Sequence, residues 1–182
     1  MSARDILPFR SSYGGHNVVS SYPVNTTAAF LEGEPVLVEA AGTLIEAATL
    51  PSPVTNPPNL IGIAAAGAAN TALARSGSSA TPFPTTMLAP VYMLSHDAEF
   101  VTRNVFNNSD ALVAPTLANV GDRCALRRVT GPPDIWGVDF GAAATTLWFQ
   151  ITDVLDSLKR SIRLSGAAGV FAVFRRVEKL QE

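Results

Sequence analysis

The chain has 182 residues, a formal net charge of −2, 47% hydrophobic residues and 15% charged residues, well under the roughly 25% charge of an average soluble domain. That length is enough to bury a real core, removing roughly 70% of the unfolded surface from water. The acidic balance excludes a broad basic face for nucleic acid. The single cysteine, Cys124, excludes an internal disulfide framework and a multi-cysteine zinc site.

No run of residues approaches the ~18 to 20 apolar positions of a membrane-spanning helix, so no membrane partner is expected. Few charges with much apolar content imply apolar surface hidden between subunits, because large exposed apolar patches mark protein contacts. The opening residues MSARDILPFR lack the apolar core of a secretory signal. They predict a chain made in a reducing cytoplasm and used there, or in a particle assembled there.

Taken in order, residues 1–27 carry Pro8, Gly14, Gly15 and Pro23 with serines between them, a composition that breaks helices. The expectation is an extended N-terminal arm, with strand character at 16–21 through Val18 and Val19. Arg4, Arg10, Tyr13 and Tyr22 are its candidate contact residues, since Arg and aromatic side chains are enriched in interface hot spots. The competing reading is a frayed terminus.

Residues 28–182 are expected to form one domain. Within it, Phe30 to Ala66 reads as three short strands. Val36 and Val38 alternate with Leu37 and Glu39, a turn falls at Ala41-Gly42, Leu44 and Ile45 follow, and a proline-studded loop leads to Leu60-Ile61-Gly62-Ile63. Pro35 suits the first position of a strand, where no ladder N–H is missed. Residues 64–86 are rich in small side chains. They read as an Ala-rich helix through Ala72 followed by a loop, or as one long surface excursion. Phe83, between Pro82 and Pro84, is either an exposed contact at the loop tip or a core residue tucked back.

The β pattern resumes at Val91–Leu94, at Phe100, Val101 and Val105, and at Cys124–Val129. Gly131-Pro132-Pro133 predicts a hairpin into Ile135–Val138, and LWFQITDVL and VFAVFRRV predict the last two strands. A weak helical turn is expected between Asp110 and Val120. Residues 156–164 are the one serious helix candidate, because Val154, Leu155, Leu158 and Ile162 fall near helical spacing. Flanking Gly166 and Gly169 fit a long hairpin loop instead, and the favoured expectation is a β reading with a short helix at most. The fold class is therefore mainly β: a small antiparallel barrel or sandwich with long loops and at most a short helix.

Chemistry is sparse. Ser95, His96 and Asp97 are adjacent, but neighbours on a strand point to opposite faces, and no G-x-S-x-G elbow is present. His16 and His96 lack metal-ligand spacing. Cys124 in an apolar alternating strand reads as a small core residue more than as a nucleophile. Asp153, Asp156 and Glu178 read as a solvated face. Arg123, Arg127, Arg128, Arg160, Arg163, Arg175 and Arg176 fall in the C-terminal third. Adjacent arginines on a strand face opposite sides and so do not form one stripe; rim contacts to an acidic protein surface fit them better than nucleic acid. No catalytic residue, cofactor or metal ligand is assigned.

FLEGEPVLVEAAGTLIEAA followed by NLIGIAAAGA resembles the capsid decoration (cement) proteins of tailed bacteriophages, and VGDRCALRRVTGPPDIWGVDF and the paired last strands look similar to the ends of such barrels. The resemblance covers about two-thirds of the chain, in a pattern of strands and turns without a chemical signature. It implies a non-enzymatic virion protein on the outer capsid surface, assembled in the host cytoplasm. Its implied partners are the major capsid protein and itself, as a homotrimer between capsomers that stabilises the shell. A head–tail adaptor or tail component, and a small trimeric β-barrel enzyme or ligand-binding protein with an intersubunit site, are the alternatives.

Overall fold

The computed structural model describes residues 6–11, 17–25, 28–46, 60–69, 88–95, 97–130, 134–141 and 148–177. Their strands are β1 (Leu7–Ser11), β2 (Val19–Pro23), β3 (Ala29–Phe30), β4 (Pro35–Val38), β5 (Leu44–Glu46), β6 (Leu60–Ala64), β7 (Ala68–Ala69), β8 (Leu88–Met93), β9 (Ala98–Thr102), β10 (Val105–Phe106), β11 (Arg123–Val129), β12 (Ile135–Asp139), β13 (Phe149–Leu155) and β14 (Phe171–Arg176). One helical turn, α1 (Ile162–Ser165), and a 3-10 turn at Leu117–Asn119 complete the regular structure of these residues.

The strands form a seven-stranded sheet, ordered β1-β9-β14-β13-β11-β12-β10, and a five-stranded sheet, ordered β2-β8-β6-β4-β5. β3 and β7 make a separate two-stranded ladder. Every pairing is antiparallel except β10 with β12. The two large sheets do not close on each other, so the architecture is sandwich-like rather than a barrel.

Alternation along the strands explains the packing. Phe100, Phe149, Phe174, Cys124, Leu126 and Trp136 of the seven-stranded sheet meet Leu37, Leu60 and Ile63 of the five-stranded sheet in one core. Phe174 anchors it, edge-on to Phe149 with ring centres 5.8 Å apart and tilted against Phe100 at 6.1 Å. On its far face the five-stranded sheet packs Val36, Leu44, Ala89 and Val91 with Phe30 of β3. A bulge between Ile151 and Asp153 shifts the phase of β13, so that Ile151 and Val154 both join the central core while Leu155 turns to the opposite face.

The hairpin predicted at Ala41-Gly42 forms β4 and β5, with the Gly42 N–H bonded to Glu39 O and Gly42 at φ +78°, a conformation glycine adopts without strain. Close packing sets a different demand at Gly137, where a β-carbon would collide with the backbone carbonyl of Asn104. Pro35 does stand first in its strand.

At three segments the structure decides between readings that the sequence left open. The segment read as an arm contributes an edge strand to each large sheet: β1 pairs with β9, and β2 pairs with β8. Pro8 and Ser11 lie within β1, and Ser20, Ser21 and Pro23 within β2, so these residues sit in edge strands; Gly14 and Gly15 lie outside the described residues. Ala68 and Ala69 are in a strand paired with β3 and not in an Ala-rich helix; residues 70–86 lie outside the described residues. At 156–164 the hairpin-loop reading holds: the loop between β13 and β14 carries only the short helix α1, because Val154 and Leu155 belong to the strand and Leu158 faces solvent. Gly166, at φ +63°, caps that turn through a bond from its N–H to Ile162 O.

Candidate interaction surface

The residues considered for chemistry have structural tasks. Cys124 is fully buried in the central core, and burial, reinforced by the charges of Asp122 and Asp139, pushes its thiol pKa far above the ordinary range. A thiol held protonated in this way is inert as a nucleophile. Of the Ser95-His96-Asp97 run, Asp97 is exposed, Ser95 is half-buried in a turn, and His96 lies outside the described residues, as does His16.

Asp153 and Asp156 correct the solvated-face reading, for both are buried. Asp156 accepts the backbone N–H groups of Leu158 and Arg160 at 2.8 and 3.0 Å and a forked pair of bonds from the Arg160 guanidinium. The Arg160 N–H bond is the main reason its carboxyl pKa lies below the ordinary value of 3.8. Asp153 accepts from Ser161 Oγ at 2.9 Å and from the Val154 N–H. These carboxylates shape the β13–β14 loop. Glu178 lies outside the described residues.

The arginines are likewise mostly committed. Arg127 is enclosed between the fully buried Asp139 and the exposed Asp110, an internal ion pair where a rim contact was expected. Arg128 lies 3.8 Å from Asp134, Arg163 lies 4.0 Å from Asp153, and the Arg176 guanidinium stacks 5.2 Å from the Trp148 ring. Arg123 and Arg175 have no carboxylate partner among the described residues, and Arg175 Nε is buried without a hydrogen bond.

Of the predicted contact residues, Arg4, Tyr13 and Phe83 lie outside the described residues. Arg10 stands on β1 with its side chain 52% exposed, paired with Glu99 on β9 and stacked 5.1 Å from the Phe9 ring. Tyr22 is half-buried on the other sheet, where its hydroxyl lies 3.9 Å from Met93 Sδ and its ring packs on the Phe30 side of the core. The two residues therefore belong to different edges and do not form one site.

A larger surface was not singled out from the sequence. On β2 and β8, Val19, Ser21 and Pro23 pair with Tyr92, Pro90 and Leu88 and share one face. Tyr92 reaches the central core, but Val19 is 50% and Leu88 57% exposed, so the other sheet does not cover this end. β2 is also the outermost strand, with no described strand on its free side. The uncharged run from Val18 to Pro23 was the available signal, and the edge position could not be read from it. The chain matches no protein-family model, no curated protein and no solved structure.

Proposed function

We propose that this protein is a non-enzymatic structural subunit that decorates the outer surface of a tailed-bacteriophage capsid. It binds the major capsid protein and copies of itself, as a trimer between capsomers, after assembly in the host cytoplasm. The observation that supports this reading is the uncharged, half-exposed face of β2 and β8 beside an open sheet edge. An edge strand presents unpaired backbone groups, and a face of Val19, Pro23 and Leu88 favours cover by another protein. The resemblance of residues 30–48 and 59–68 to decoration proteins supplies the identity of that cover.

Imaging purified particles with and without the protein tests the proposal, together with its mass in solution by light scattering. Added protein appears as density between capsomers, and the free protein has the mass of a trimer. Val19→Glu with Leu88→Glu removes the added density while the chain remains folded. A stable monomer that leaves expanded shells bare refutes the reading.

A further inference from the structure

Register brings a row of polar residues straight across the outer face of the seven-stranded sheet. Arg10 pairs in register with Glu99, Glu99 with Arg175, Arg175 with Gln150, and Gln150 with Arg123. The strands run β1, β9, β14, β13, β11, so an arginine stands on every second strand. Phe100, Phe174, Phe149 and Cys124, next to these residues in the chain, point the other way into the central core. The row therefore faces away from the five-stranded sheet.

Its charges are unevenly committed. Glu99 is taken up by Arg10, and Asp153, further along the same face, is engaged by Ser161. Arg123 and Arg175, on either side of Gln150, keep their charge without a described carboxylate, and both are half-buried. Gln150 is held in place by its Nε2 donating to Gly121 O at 3.0 Å. Two strand spacings put Arg123 and Arg175 about 10 Å apart. We propose that this row is a docking site for an acidic, extended segment of a partner protein, with carboxylates that meet Arg175 and Arg123.

The spacing specifies the segment. A polyproline II chain returns to the same face every third residue, after about 9 Å, so acids at every third position match the two arginines. A nucleic acid strand carries a phosphate at each nucleotide and would press its surplus charge on Glu99, Asp153 and a chain of net charge −2. Guanidinium groups suit carboxylates through paired N–H donors, and partial desolvation strengthens the bonds.

The test is fluorescence anisotropy of the full chain with a labelled proline-rich peptide carrying glutamate at every third position, at low and at high salt. The expected result is salt-sensitive binding that Arg123→Gln with Arg175→Gln weakens by at least about tenfold, whereas Arg176→Gln leaves it unchanged. If replacing Arg175 lowers the melting temperature, Arg123→Glu alone decides, because it reverses the charge at a partly exposed position. Binding that survives these substitutions overturns the proposal, as does no binding at low salt or an equally charged oligothymidylate binding as tightly as the peptide. The assay uses free protein, so this site and the capsid reading can each fail without the other.

Discussion

Replacing Asp139 by asparagine probes the most enclosed charge in the fold. Asp139 is fully buried; its Oδ1 accepts the N–H groups of Asn108 and Gly141 at 2.8 and 2.9 Å, and its Oδ2 accepts Arg127 Nε. Asparagine keeps the two backbone bonds on its oxygen but turns an amide N–H donor toward the guanidinium, itself a donor. Breaking a buried ion pair costs about 3 to 5 kcal/mol, because one charge remains without its partner. Arg127 retains Asp110 at 2.8 Å, a carboxylate 70% exposed, which places the cost near the low end, about 3 kcal/mol. For a chain of this length that is a fall in melting temperature of about 6 to 12 °C.

The measurement is urea unfolding of five proteins: wild type, Asp139→Asn, Asp110→Asn, Arg127→Met, and Asp139→Asn with Arg127→Met. Asp110→Asn should cost less than about 1 kcal/mol, since the pair it breaks is mostly solvated. The double variant should be more stable than the sum of its parts by about 2 kcal/mol, because it leaves no buried charge unmatched. Equal losses for Asp139→Asn and Asp110→Asn, or strict additivity in the double variant, would refute the reasoning.

Asp156 gives a pH dependence: with its pKa depressed in the folded state, it stabilises the fold above the ordinary carboxylate value of 3.8, and this contribution fades as pH falls through the lower native value. An Asp156→Asn variant should show a shallower loss of stability over that acid range, and a parallel profile would contradict the loop geometry. Gly137→Ala should cost about 3 kcal/mol by overpacking against the Asn104 backbone. Gly42→Ala, with open space around it but φ +78°, should cost about 1 kcal/mol of backbone strain, and denaturant midpoints rank the two. Cys124 should resist iodoacetamide in the folded protein and react after denaturation; rapid native alkylation, read by mass spectrometry, would contradict its burial.

Much of the strand inventory was legible because a short apolar run bounded by turn residues reports a strand whatever its partners are. Val36–Val38, Leu60–Ile63 and Cys124–Val129 carry that pattern and are strands. β1 and β2 were harder, because edge strands bury less and their prolines and serines resemble those of a loop. The tasks of Asp153, Asp156 and Arg127 were hidden for another reason. A charged residue reads as solvated unless its partner is known, and the partners stand on other strands or across a loop.

The amino-acid order by itself determined the β class, the turn at Gly42 and the burial of Cys124, all of which depend on neighbours within a few positions. Tertiary structure decided which strand lies beside which, leaving two open sheets where a barrel was equally consistent with the pattern. It also decided that Arg10 meets Glu99, 89 positions away, and that Arg175 and Arg123 join the same row. Periodicity of two assigns a side chain to a face of its own strand and carries no information about the neighbouring strand; register does, and register follows from packing the whole core.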